Sequence, residues 1–454
     1  MVIKKEDINK FQVNDYLKGV ASCNCRENHS TYLEDVLIKA GAIEEIPRLL
    51  KKYGFKKSLV ISDLNTYKVA GRKVAETLFE NKFNFKELIF KVKGDLIPDE
   101  EAVGNILIQL DESIDSIITV GTGTLNDLSK FVSYKMNVPS IIVATAPSMD
   151  GFVSNGSALI VGDLKISYNA LVPKAVIGDI DILKEAPMKM ILAGFGDIVG
   201  KYSALNDWKI SKIVNGEYYC DFSAGMVENS LKSCIENAYK IKGRDPIVIK
   251  ELMEALVITG IAMSFIGNSR PASGSEHHLA HYFEMKFLFE NREPILHGRK
   301  VGVMTVITAR LRELLARHNI DFEKAINDAK SFKIDEWREK VNVIFKDAAE
   351  EIIEISVRDE TTSSRKKIER INRIKENMNQ INNILMETPS AEKIESILND
   401  VGAPYKLDQI NIKKDEIVDA ICFSKEIRTR YTILTLLSDL GLLNEFASDI
   451  EKEI

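Results

Sequence analysis

Residues 116–136 read SIITVGTGTLNDLSKFVSYKM. The first five positions form a short apolar, β-rich run. A turn with glycines at 121 and 123 follows, and then a helical pattern from Leu125 to Met136. A strand running through a glycine corner into a helix is the repeating unit of a parallel α/β sheet. The same alternation extends outward from this stretch. β-rich runs fall at 58–62, 88–92, 116–120 and 140–144, with helical patterns at 42–53, 66–80, 99–111 and 125–136. This order predicts a parallel sheet covered on both faces. Ligands in such sheets sit beyond the carboxyl ends of the strands.

The alternation ends near Lys184. Long helical stretches then dominate, at 187–214, 223–239, 245–265, 276–289 and 300–318. Pro187 suits a first helical turn, where a missing N–H costs nothing. The expectation is an α/β domain over residues 1–184 followed by an all-α domain over 185–454. Its portion from about residue 323 is more polar and highly charged. Within it, residues 363–385 (SSRKKIERINRIKENMNQINNIL) predict a solvated amphipathic helix, with Ile368, Ile371, Ile374, Met378 and Ile381 as its apolar stripe. The basic residues of this run read as a solvated face rather than a nucleic-acid surface.

A chain of 454 residues suggests two or three domains. The composition, 45% hydrophobic and 28% charged, is that of a globular protein, and a net charge of −6 gives no reason to expect a nucleic-acid partner. Five cysteines are an odd, sparse set rather than a disulfide framework, which points to a reducing compartment. The opening MVIKKEDINKFQ lacks the apolar region of a secretory signal, and no run of 18 apolar residues predicts a membrane span. A cytoplasmic protein without membrane insertion is the expectation.

The 121–127 turn, with Gly121, Thr122, Gly123, Thr124 and Asp127, is a candidate phosphate loop. Glycines let a ligand approach the backbone, and the helix that follows offers unpaired N–H groups and a positive dipole end. It is not a G-x-G-x-x-G fingerprint, and a Gly-bearing strand–helix turn is common without a ligand. Asp63 ends an earlier strand, where a carboxylate serves equally to accept a ribose hydroxyl or to cap the helix near Thr66. The loop ATAPSMDGFVS, residues 144–154, brings Thr145, Ser148, Asp150 and Ser154 to the same sheet edge.

Four of the six histidines lie between 277 and 297. Ser273 and Glu276 have capping-box spacing, which starts a helix here. His277 and His281 then share one face, while His278 points about 100° away. Neutral imidazole is a common zinc ligand, so two histidines one turn apart can both bind a metal, or one can handle protons. A carboxylate would reduce the net charge, and Asp197 is the best candidate. An acid among apolar and glycine residues needs a partner, either a cation or Lys201 at i+4. Three protein ligands leave a position open for substrate. Cys23-x-Cys25-x3-His29 is a second candidate metal cluster, with three ligands only and a place in the N-terminal segment.

The stretches GTGTLND, ATAPSMDGF, GFGDIVGKYSALNDW, GNSRPASGSEHHLAH and LHGRKVG, in this order, resemble the sn-glycerol-1-phosphate dehydrogenase family. That family belongs with glycerol dehydrogenase, iron-containing alcohol dehydrogenases and dehydroquinate synthase. The resemblance covers about residues 35–310. SCNCRENH and IRTRYTILTLLSDLG are similar to its bacterial branch. It implies a dehydroquinate-synthase-like architecture, with a Rossmann-like domain for NAD or NADP and a helical domain for metal and substrate. The implied metal ligands are Asp197, His277 and His297, with zinc or nickel as the ion. The implied catalytic residues are Asp197 with His281 and Asp150, the last two as substrate contacts. Gly121, Thr122, Gly123, Thr124, Asp127, Thr145, Ser148 and Ser154 match cofactor contacts, and Asp63 matches the adenosine-ribose position. The implied reaction reduces dihydroxyacetone phosphate to sn-glycerol 1-phosphate, in a homodimer or larger homo-oligomer. Iron-containing alcohol dehydrogenases carry a histidine ligand four residues after the aspartate. Lys201 stands there in this chain, which argues against iron and suggests a phosphate partner, with Arg270 a second. The alternatives are a dehydrogenase of unphosphorylated polyols, a lyase using NAD transiently (that family has glutamate where Asp197 stands), and a metal-free binding protein.

Overall fold

Among the described residues, eight strands form between Asp35 and Asp179 in the computed structural model: β1 (Asp35–Lys39), β2 (Lys57–Asp63), β3 (Asn84–Phe90), β4 (Ser116–Gly121), β5 (Ser140–Ala144), β6 (Gly156–Val161), β7 (Leu164–Asn169) and β8 (Ala175–Asp179). The structure describes residues 12–20, 23–25, 27–92, 94–162 and 164–454, so nearly all of the N-terminal stretch tested for a leader lies outside them. Six strands make one parallel sheet in the order β1-β8-β5-β4-β2-β3, and β6 and β7 pair as an antiparallel hairpin.

Alternation along each strand builds two cores. Val60, Ile118, Val120 and Val143 face the helices Ile46–Tyr53 and Arg72–Glu80. Leu59, Ile61 and Ile117 face the helices Glu100–Gln109 and Gly123–Met136. Every residue of β4 and β5 is buried, as a doubly covered parallel sheet requires. β2 lies between β3 and β4, so the chain leaves β2 on one side and returns on the other. That reversal opens a crevice at the carboxyl ends of β2 and β4, where Asp63 and Gly121 are the last residues.

The four strands read from sequence are present, with β3 shifted to Asn84–Phe90 by its pairing along the whole of β2. The pattern missed β1, β6, β7 and β8. β8 is five residues long and contains Gly178, and β1 is an edge strand with charged ends. The stretch 187–214 is two helices, Met188–Val199 and Lys201–Asn215, divided at Gly200. Pro187 stands just before the first, and its carbonyl accepts the Met190 and Ile191 N–H groups at 2.8 and 3.3 Å.

The chain divides into two compact units, each discontinuous in sequence: Met1–Ile198 with Cys220–Pro271, and Val199–Tyr219 with Ala272–Ile454. The boundary expected at 184 falls inside the first unit. The helix Pro246–Ile266 packs on β1 and on the turn Gly151–Val153, which ties its segment to the sheet.

The second unit is helical. The charged helix Ser364–Leu385 buries Ile371, Ile374 and Ile381 against the helices Lys201–Asn215 and Phe322–Lys330, so its apolar stripe is core and only the opposite face is solvated. Asp207, fully buried, holds this unit together. Its carboxylate accepts the N–H of Ser275 at 2.7 Å, the N–H of Ile433 at 2.9 Å and Arg312 Nη2 at 2.7 Å. Arg312 is also buried and donates to the Thr308 carbonyl and to Asn206. Removing one member of such a pair strands a buried charge, at a cost of about 3–5 kcal/mol. Asp207→Ala should therefore lower urea stability by that order, and Asp207→Ala with Arg312→Met should cost less than the sum of the two single changes. Strictly additive losses in urea titrations would refute the pairing.

Candidate active site

In the first unit the expected cofactor residues gather at the carboxyl edge of the sheet. β4 ends at Gly121 and the helix Gly123–Met136 begins two residues later, with Thr122 as N-cap. Thr122 makes no side-chain cap bond; its hydroxyl instead pairs with Ser148 at 2.5 Å. The first-turn N–H groups therefore keep the character of an anion site at a helix N-terminus. Thr145 N–H donates to the Gly121 carbonyl at 3.1 Å, which fixes the 145–148 turn beside the loop. Asp63 caps its helix, with Oδ1 accepting Asn65 and Thr66 N–H at 2.8 Å each. The capping role is thus realised, and both bonds fall on one oxygen.

Lys130 organises this edge, and sequence reasoning missed it. It sits one turn after Asp127 (3.5 Å) and is fully buried. Its ammonium donates to the carbonyls of Gly151, Ser154 and Gly156 at 2.8, 3.2 and 2.7 Å, and to the Ser154 hydroxyl at 2.8 Å. The Ser154 hydroxyl is thereby built into the 151–156 turn. Burial lowers the Lys130 pKa, and Asp127 opposes that shift. Its only sequence signal was a lysine on the apolar side of a helix.

Asp197, on the helix Met188–Val199, is fully buried and accepts the Asp150 N–H at 3.0 Å. The loop can lie this close because residue 194 is glycine. A Cβ there would sit 1.9 Å from the Pro147 carbonyl oxygen.

In the second unit three of the four clustered histidines converge. Ring centroids of His277 and His297 are 5.0 Å apart, and those of His281 and His297 are 5.1 Å apart. Each ring has its Nδ1 on a carboxylate: His277 on Glu276 at 2.6 Å, His281 and His297 on the two oxygens of Glu284 at 2.9 and 2.8 Å. Locking Nδ1 in this way orients the ring and presents Nε2, as a carboxylate partner does for a histidine that binds metal. Donor atoms of His281, Glu284 and His297 themselves fall within 4.8 Å of one another. Glu284 was not anticipated, although it stands three residues after His281 on the same helical face. His278 is buried on the same helix.

The expected capping box at Ser273 does not form, because the N-cap falls one residue later. The helix Ser275–Phe289 has Gly274 as N-cap, and Glu276 reaches back to the Gly274 N–H at 2.8 Å. Glycine is required at 274, since a Cβ would lie 2.6 Å from Asp207 Oδ2. Burial raises the Glu276 pKa, opposed by the Gly274 N–H. Burial also holds His281 well below its ordinary value, reinforced by Arg428 and opposed by Glu284, so its ring is neutral near pH 7. Lys201 is buried, and its ammonium donates to the Ala272 carbonyl at 2.9 Å.

Residues 37–187 match the family model described as iron-containing alcohol dehydrogenase. A glycerol-1-phosphate dehydrogenase (NAD(P)+) of Bacillus velezensis is 33% identical, over 90% of this chain and 92% of its own length. That of Halalkalibacterium halodurans is 38% identical, over 67% of this chain and 77% of its own. The crystal structure of glycerol dehydrogenase from Schizosaccharomyces pombe covers 93% of this chain and 91% of its own, with a TM-score of 0.59 at 14% identity, a likeness of fold alone. By its identity to full-length relatives, this chain belongs to the glycerol-1-phosphate dehydrogenase family.

Proposed function

We propose that the protein reduces dihydroxyacetone phosphate to sn-glycerol 1-phosphate, using NADH or NADPH and one divalent metal ion, zinc or nickel. The observation that carries this reading is the match to a curated glycerol-1-phosphate dehydrogenase along 92% of its length. In the proposal, residues 1–184 hold the nicotinamide cofactor and lend Asp150 to the substrate, and the helical residues after 184 supply the metal ligands and the other substrate contacts. The metal ligands are Asp197, His277 and His297. One carboxylate and two imidazoles suit a borderline divalent ion and leave a coordination position for substrate. The carboxylate-locked Nδ1 atoms of His277 and His297 support this assignment.

When bound, the metal supplies Lewis acidity to the ketone oxygen and the nicotinamide supplies hydride. The protein's own part is to bind, orient and move a proton. The N–H groups from Gly123 onward receive the pyrophosphate, flanked by Thr122, Thr124, Thr145 and Ser148. Asp127 and Ser154 contribute through the turn that Lys130 holds. Asp63 accepts from the adenosine ribose, which favours NAD, while Lys68 and Arg72 would offset its charge toward a 2′-phosphate. Asp150 contacts the substrate, and His281, with Nδ1 fixed on Glu284, orients it or passes it a proton. Arg270 and Lys201 are assigned to the substrate phosphate. We also place the protein in the cytoplasm, as a homodimer or larger. Its cysteines form no disulfide, and no described helix is long and apolar enough to cross a membrane.

The direct test follows NADH and NADPH oxidation with dihydroxyacetone phosphate, with chiral analysis of the product. Activity on glycerol but not on glycerol phosphate would replace this reading with an unphosphorylated-polyol dehydrogenase. Asp197→Ala and His277→Ala should each lower kcat/KM by about a thousandfold, the several kcal/mol a Lewis acid contributes. Glu284→Ala should weaken metal affinity about 10–100-fold without touching the metal, as loss of a ring-orienting partner does. An unchanged metal titration would remove that role. Lys201→Ala should raise KM for dihydroxyacetone phosphate; an unaltered KM would withdraw the phosphate assignment.

A further inference from the structure

The motif Cys23-x-Cys25-x3-His29 has three ligands in sequence. The fold brings a fourth, Cys220, from 197 positions beyond Cys23. One donor atom from each of Cys23, Cys25, His29 and Cys220 lies within 4.8 Å of every other, and all four residues belong to the first unit. We propose that these residues form a closed Cys3His zinc site, separate from the catalytic ligands and structural in role.

Three of the six donor–donor distances lie close to the edges of a zinc tetrahedron, and the other three fall within 4.8 Å. Zn–S bonds of about 2.3 Å at the tetrahedral angle put sulfurs about 3.75 Å apart, and a Zn–N bond of about 2.05 Å puts sulfur and nitrogen about 3.5 Å apart. Cys23 Sγ and Cys220 Sγ are 3.7 Å apart. His29 Nε2 is 3.3 Å from both Cys25 Sγ and Cys220 Sγ. No disulfide joins the cysteines.

The surroundings are those of a built ligand set. His29 is buried, and its Nδ1 lies 3.3 Å from the Phe265 carbonyl. That acceptor selects the tautomer with hydrogen on Nδ1 and turns the Nε2 lone pair toward the sulfurs. The ring packs against Phe222 and Phe265, at centroid distances of 6.4 and 5.5 Å, and the two phenylalanine rings also meet each other at 6.5 Å. Val20 and His29 exchange both backbone hydrogen bonds, at 2.8 and 3.0 Å, so the cysteine-bearing loop is closed at its base. Cys220 is the N-cap of the helix Asp221–Glu236, and its sulfur accepts the Ser223 N–H at 3.4 Å. Three thiolates and one neutral imidazole leave no position for substrate, which separates this site from a catalytic one. Its effect is to clip the N-terminal segment to the start of a distant helix, where a cross-link removes a long loop's freedom from the unfolded chain.

The test uses Co2+-loaded full-length protein. A tetrahedral site with thiolates gives an intense near-ultraviolet sulfur-to-cobalt band, whereas a carboxylate–imidazole site gives none. We expect the band in the wild type and in His277→Ala, and its loss in Cys220→Ser and Cys25→Ser. The band in His277→Ala keeps this site distinct from the catalytic ligand set, whose failure would leave the band intact. Should the cysteine variants fail to fold, the zinc-loaded wild type decides: an organomercurial that caps thiols should release one zinc per chain to a chromogenic chelator. Absence of the band in the wild type, its survival in Cys220→Ser, or no mercurial-released zinc overturns the proposal.

Discussion

One buried carboxylate sets the geometry on which the second unit depends. Asp207 receives the first N–H of the histidine-bearing helix, the first N–H of the helix Ile433–Asp439 and a guanidinium nitrogen of Arg312. A charge this deep is tolerated only when it is paired and hydrogen-bonded, and here the partners come from three distant stretches of chain. The consequence is positional. The turn before His277 cannot shift without breaking a charged hydrogen bond, and Gly274 leaves no slack between that turn and Asp207. The C-terminal region, whose role was opaque in sequence, supplies part of this lock through Ile433.

The first unit uses the opposite sign for a similar purpose. Lys130 places one ammonium among three carbonyls and a hydroxyl, and so shapes the turn that follows Asp150. Backbone carbonyls can crowd this closely only around a cation. The two units thus fix these loops by buried charge rather than by packing alone.

How much of this was legible in sequence follows from the range of the interactions. The strand–helix alternation around 116–136 is a local pattern, and it led to the parallel sheet and to the glycine turn at its carboxyl edge. The histidine spacing is likewise local, and it led to His277 and His281. What escaped notice was long-range or ambiguous. Cys220 pairs with a motif almost two hundred positions earlier, so the motif looked incomplete. Lys130 and Glu284 stand on ordinary helical faces, and their function depends on what folds against them. Edge strands such as β1 carry too few apolar residues to declare themselves. The domain boundary followed composition, whereas the chain crosses between the units at 198, 219 and 271.

Glu284 carries a consequence of another kind. Its two oxygens hold the Nδ1 atoms of His281 and His297, so a single side chain sets the orientation of both rings. Lys300 lies 3.3 Å from the oxygen that holds His297 and adds a charge to the same arrangement. The two imidazoles are therefore mechanically geared. A substitution at Glu284 that re-aims one ring removes the anchor of the other as well. In evolutionary terms, the properties of these two histidines form one character rather than two, open to change only in concert.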